Sequence, residues 1–306
     1  MLHSLRGGPF TQYIVMKSIA GFILAVALAL SPAARAADGK LSVVAAENFY
    51  GDIARQIGGD RIDVVSIMNN PDQDPHLFET TPGIVRQIAD AQIVILNGAD
   101  YDPWMDKLIA AAPRPGRVVI SAAQITGAKS GGNPHLWYAP ATMPVVATAI
   151  AKAFAAADAA HASDYALRLT ATLASLEKIS LRVAQLKSRH AGAAITATEP
   201  VFGPMADALG LTVRNQRLAL AVMNDTEPSA RDVAAFENDL KDRKVKLMLY
   251  NKQVSAKLTE RLRSIATKAK VPVVGVTETQ PAGVAFQDWM LGQLDAVDKA
   301  LTGPNS

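Results

Sequence analysis

The 306-residue chain contains no cysteine, which removes any disulfide framework and any thiol that could carry a lipid behind an export leader. It also lacks an excess charge of either sign in its body. The formal net charge of +3 comes from Arg6, Lys17 and Arg35, which lie in the first 36 residues with no acidic residue among them. A body so balanced presents no basic patch, so neither nucleic acid nor an anionic membrane is an expected partner. The apolar run at 19–30 is shorter than the ~20 residues that a membrane-crossing helix needs. HExxH and GxSxG are missing as well, which leaves no recognisable base or nucleophile for hydrolysis. Histidine is scarce, with five in all.

What is present begins with a leader. Lys17, the apolar run 19–30 and the small-residue stretch ending Ala34-Arg35-Ala36 have the three parts of a cleavable secretory signal. Residues 1–36 are therefore expected to be a signal peptide, with Met16 as a well-placed start and a mature chain beginning near Ala37. The alternative is that this segment stays uncleaved as an anchor. The expected location is the periplasm. The remaining residues belong to a chain that is 49% hydrophobic, enough to bury a large core in one or two domains.

Beyond the leader, short apolar runs alternate with amphipathic stretches. Strands are expected at 41–46, 62–67, 92–96 and 117–120, with helices at 48–57, 82–91 and 103–112 between them. Pro82 and Pro103 sit in first helical turns, where proline is favoured. A second set follows, with strands at 194–198, 245–250 and 271–276 and helices at 201–209, 229–242, 255–269 and 286–301. Ser229 and Ser255 stand at N-cap positions. This alternation predicts an α/β fold of two similar lobes with mainly parallel sheets, one over 37–159 and the other over 191–306. Between them, 160–189 holds no proline or glycine, and Leu169, Leu173, Leu176, Ile179, Val183 and Leu186 recur at three- and four-residue intervals. The segment 160–190 is expected to be a single long connecting helix packed along both lobes; a coiled-coil strand is the alternative for so narrow a stripe.

Two of the five histidines repeat one local pattern, Asp74-Pro75-His76 and Asn133-Pro134-His135. Proline fixes its own φ and holds the preceding residue extended, so each unit presents an imidazole from a stiffened loop. Glu199 closes the 194–198 strand and Glu278 follows the 271–276 strand. Ligands of open α/β sheets bind beyond the carboxyl ends of the strands. His76, His135, Glu199 and Glu278 would then meet as a nitrogen and oxygen site for a divalent cation in the interlobe cleft. Asp288, or a water, is the rival to Glu278 as fourth ligand. His3 lies in or before the leader, and capping or exposure accounts for His161 and His190.

The stretch Glu47-Asn48-Phe49-Tyr50-Gly51-Asp52-Ile53-Ala54, the run Ile57-Gly58-Gly59-Asp60, the loops 74–79 and 133–137, and Glu199 ahead of Ala208-Leu209-Gly210-Leu211 together carry a resemblance over essentially the whole mature chain. The sequence resembles the periplasmic solute-binding proteins of zinc and manganese ABC transporters, which are built as two lobes joined by one long helix. That resemblance implies His76, His135 and Glu199 as the first three ligands, Zn2+ or Mn2+ as transported substrate, a membrane permease as partner, a monomer, and no catalysis. The family commonly uses a late aspartate as the fourth ligand, where this chain has Thr277-Glu278-Thr279. No histidine-rich loop precedes His135, and a glutamate in third place makes the site harder, yet zinc outcompetes manganese at most such sites, so both metals stay open. A secreted zinc-dependent hydrolase with an open coordination position is the alternative reading, and a structural or adhesive protein with incidental metal is a third.

Overall fold

The computed structural model describes residues 39–70, 78–254 and 256–303. β1 (Leu41–Glu47) is apolar and buried along almost its whole length. α1 (Asn48–Gly58) follows without a loop and buries Phe49, Tyr50, Ile53, Ala54 and Ile57, the three- and four-residue spacing of one helical face. β2 (Ile62–Met68), α2 (Pro82–Asp90), β3 (Ile93–Leu96), α3 (Pro103–Ala111) and β4 (Val118–Ser121) continue the alternation. Pro82 and Pro103 do occupy first turns, and the Thr81 hydroxyl caps α2 by accepting the Ile84 N–H. All four strands are parallel in the order β2-β1-β3-β4, with Val43 in register with Val64 on one side and Ile93 on the other.

A short α4 (Ala122–Thr126) and a 3-10 turn (Leu136–Tyr138) lead into α5 (Thr142–Ala157) and then α6 (Ala162–His190). At 29 residues α6 is about 44 Å long. It buries Leu176, Ile179, Val183 and Leu186, the stripe read from the sequence, as a single helix packed on α1 and α5. The second half repeats the first: β5 (Ala194–Ala197), α7 (Gly203–Ala208), β6 (Thr212–Arg214), α8 (Gln216–Met223), α9 (Ala230–Lys241), β7 (Leu247–Asn251), α10 (Lys257–Lys268), β8 (Val273–Val276) and α11 (Phe286–Thr302). Its strands are parallel in the order β6-β5-β7-β8, the same arrangement as in the first lobe.

Some elements differ from expectation. The expected helix 201–209 opens as a 3-10 turn, Pro200–Phe202, before α7, because Pro204 has no N–H to donate to Pro200 O, which accepts from Asn133 Nδ2 in its place. Ser229 caps α9, its hydroxyl accepting the Asp232 N–H at 3.2 Å; Ser255 lies outside the described residues. α4, α5, β6 and α8 were not expected. His161 stands at the N-cap position of α6, partly exposed and paired with Asp158 at 2.8 Å, and His190 pairs with Asp298 at 2.8 Å, which with Arg182 and Arg189 ties α6 to α11.

One core cluster runs through both halves, including Phe49, Trp137, Tyr138, Leu176, Phe202 and Trp289. Phe49 stacks on Trp137 at 4.5 Å, and Tyr138 meets Phe202 and Trp289 edge-on at 5.5 and 5.9 Å. The lobes thus share an aromatic seam. Among the described residues no helix is long and apolar enough to cross a membrane.

Candidate metal centre

In each sheet the first strand is flanked by the next two strands of its lobe, the switch point beyond whose carboxyl ends open α/β sheets place their ligands. Polar side chains close the apolar strands at these points: Glu47 on β1, Asn97 after β3, Asn251 on β7, Glu199 after β5 and Glu278 after β8. All five are buried, between 0 and 4% exposed. Burying so many polar groups is unfavourable unless they are hydrogen-bonded, paired or coordinate a cation.

His135 is fully buried. The Asn133 side-chain oxygen, Oδ1, accepts its backbone N–H at 3.1 Å and faces its Nδ1 at 2.7 Å, while Asn133 Nδ2 donates to Pro200 O at 2.7 Å. With the amide oxygen assigned in this way, Nδ1 is the protonated nitrogen and Nε2 carries the lone pair, the usual arrangement for a ligating imidazole. Nε2 has no hydrogen-bond partner among the described residues, and it points at Glu278 Oε2, 3.3 Å away. Two acceptor atoms at that distance call for a positive charge between them, which a shared proton or a metal ion can supply.

The second lobe supplies both acids. The Asn251 amide group donates to Glu199 Oε2 at 3.0 Å and to Glu278 Oε1 at 2.6 Å, holding the two carboxylates side by side. Gln253 Oε1 accepts the Glu278 and Thr279 N–H groups at 2.5 and 3.2 Å. The Tyr101 ring stands edge-on to His135 and Trp137 at 5.9 and 4.8 Å. Burial first, and then the charge of Glu278, holds its phenol well above the ordinary tyrosine range. The structure therefore brings His135, Glu199 and Glu278 together. His76 lies outside the described residues. Asp288 is exposed on α11, in a recess with Asp52, Gln56 and Lys178 rather than among the buried acids. Among the described residues no three His, Asp or Glu side chains stand at metal-holding spacing.

A second pair of acids lies in the first lobe. Burial, followed by the charge of Asp102, holds the Glu47 carboxyl well above the usual range. Burial also pushes Asp102 up to about 6, opposed by the Gly98 and Asn97 N–H groups that donate to it at 2.7 Å each. The turn so capped has three successive positive φ values, at Gly98, Ala99 and Asp100, a conformation that only glycine adopts without strain. Asp100 accepts from Ser130 and from Gly131 N–H, and Asn97 donates to Pro134 O at 2.8 Å, so the strained turn braces the His135 loop. Sequence reading missed Asn97, Tyr101, Asp102, Asn133 and Asn251 as contributors. The available signal was a polar residue ending an apolar strand, as at Asn97 and Asn251.

Residues 43–300 match the family ZnuA, the periplasmic component A of zinc-uptake complexes. A Treponema pallidum protein described as metal-binding is 25% identical over 94% of this chain and 96% of its own length. A manganese ABC transporter substrate-binding lipoprotein of Streptococcus mitis, PsaA, is 28% identical over 55% of this chain and 58% of its own. Among solved structures, the periplasmic zinc-binding protein TroA of Treponema pallidum superposes with a TM-score of 0.72 at 20% identity, covering 86% of this chain and 99% of TroA. At that identity the likeness establishes the fold.

Proposed function

Because the chain belongs to the family of periplasmic zinc-uptake components, we propose that it captures a divalent transition-metal ion, Zn2+ or Mn2+, in the periplasm and delivers it to the permease of an ABC transporter. His76, His135, Glu199 and Glu278 are the proposed ligands. The observation that carries this reading is the lone pair of His135 Nε2 directed at Glu278 from 3.3 Å in a fully buried setting. A cation placed there would be held by one lobe's imidazole and the other lobe's acids. Relatives described as zinc- or manganese-binding support the choice of ions. A mixed imidazole and carboxylate set suits both.

In this reading residues 1–36 are removed on export, lobes 37–159 and 191–306 are joined by the helix 160–190, and the protein acts as a monomeric carrier without catalysis. The chain's own residues do three things. Asn133 fixes the tautomer of His135, Asn251 spaces the two carboxylates, and the aromatic seam excludes water, so that the ion exchanges its hydration shell for a dry and oriented set of donors.

Isothermal titration of the mature chain with Zn2+ and Mn2+ tests this. His135→Ala and Glu278→Gln are each expected to weaken binding by about a hundredfold or more, roughly 2.7 kcal/mol. Affinity is also expected to fall as pH is lowered, since protons compete for the imidazole lone pair. Unchanged affinity in both variants would refute the assignment.

A further inference from the structure

We propose that Asn48 and Tyr138, neither of them a ligand candidate, are positioning residues that anchor the Glu278 segment of the second lobe onto the first. Residues on both sides of Glu278 are bound by the first lobe. The Tyr138 hydroxyl donates to Thr277 O at 2.7 Å. On the other side, the Asn48 amide makes a two-way contact with the backbone of Gln280, donating to its C=O at 2.8 Å and accepting its N–H at 3.1 Å.

The contact continues down α1. Asn48, Asp52 and Gln56 recur every four residues and so share one face of that helix. Asp52 Oδ2 accepts the Phe286 N–H at 2.9 Å at the start of α11, and the Gln56 and Gln287 amides exchange bonds of 3.0 and 2.8 Å. Tyr138 is fully buried in the aromatic seam, three residues beyond His135.

The consequence concerns metal retention. Glu278 is built on a second-lobe loop, yet its backbone is held on either side by first-lobe groups, one of them adjacent in sequence to the His135 turn. His135 and Glu278 therefore keep their separation through this anchoring as well as through any ion they share. An acid that cannot swing away slows the loss of the ion, so these two residues govern release rather than capture. This role rests on the metal-site reading given above.

The variants are Asn48→Ala, Asn48→Asp and Tyr138→Phe. Asn48→Asp keeps the acceptor for the Gln280 N–H and loses the donor to Gln280 O. Two readouts separate the possibilities: amide hydrogen exchange over residues 277–286 without metal, and the rate at which bound Zn2+ passes to an excess of chelator. Asn48→Ala and Tyr138→Phe are expected to raise exchange in the segment and to speed Zn2+ release about tenfold, the effect of about 1.4 kcal/mol lost on the bound state. Asn48→Asp should fall between them and the unaltered chain, and the association rate should not change. A loosened segment with an unaltered release rate would overturn the positioning role and leave a purely structural one. Unaltered exchange would overturn the anchoring. If the unaltered chain took up no Zn2+, the reading of the site would fall, while the exchange data would still decide the anchoring.

Discussion

Asn133 and Asn251 show how amides organise this centre. Each donates and accepts, so one can orient an imidazole while gripping the opposite lobe, and the other can hold two like-charged carboxylates together. Glu47 and Asp102 raise a different matter, since their protons are bound more tightly in the folded chain than in the unfolded one. Groups with raised folded values stabilise the fold fully below the ordinary carboxylate range, near 4, and that contribution is lost as pH rises through the folded value, about 6 for Asp102. Glu47→Gln replaces the carboxyl O–H with an amide N–H as donor towards Asp102 and removes one titrating group. Urea unfolding from pH 4 to 8 should show the variant losing stability with rising pH less steeply than the unaltered chain, by up to about 1.4 kcal/mol per pH unit. Parallel curves would contradict it.

α6 is the element that defines the architecture, and its stability resides in one face. Ile179 is 4% exposed and Leu181, two positions on, is 63% exposed. Ile179→Ala should cost about 2–5 kcal/mol in denaturant unfolding, and Leu181→Ala less than about 0.5 kcal/mol; equal effects would contradict the packing described. Elements of this kind were legible beforehand because their physics is local. A parallel strand buried on both faces is an uninterrupted apolar run, and a long surface helix shows its stripe. α5 hid because it is alanine-rich and apolar on several sides, with eight of its sixteen residues buried, which erases the stripe. β6 hid because it is a three-residue edge strand with mostly exposed side chains. The centre divides in the same way. His135 and Glu278 stood out through a proline-braced loop and a strand end. Tyr101 reaches them by way of a turn with three positive φ values, of which only the first falls on glycine, and Asn133 acts through an amide orientation set by the far lobe. Such contributions exist only once distant segments have met.

At the scale of the whole molecule, the two lobes repeat one topology, and their strand ends face a common buried centre. They share a continuous core and several cross-lobe hydrogen bonds, including Tyr138 to Thr277 and Asn48 to Gln280. A chain built in this way ties its two lobes together through shared core packing and cross-lobe hydrogen bonds. Under the proposed function, that buried centre holds a transition-metal ion between the lobes. X-ray diffraction at the zinc absorption edge from crystals of the Zn2+-loaded chain tests it most directly. An anomalous peak is expected about 2.0–2.2 Å from His135 Nε2 and from carboxylate oxygens of Glu199 and Glu278; a peak elsewhere, with His135 Nε2 outside bonding distance, would rule the site out.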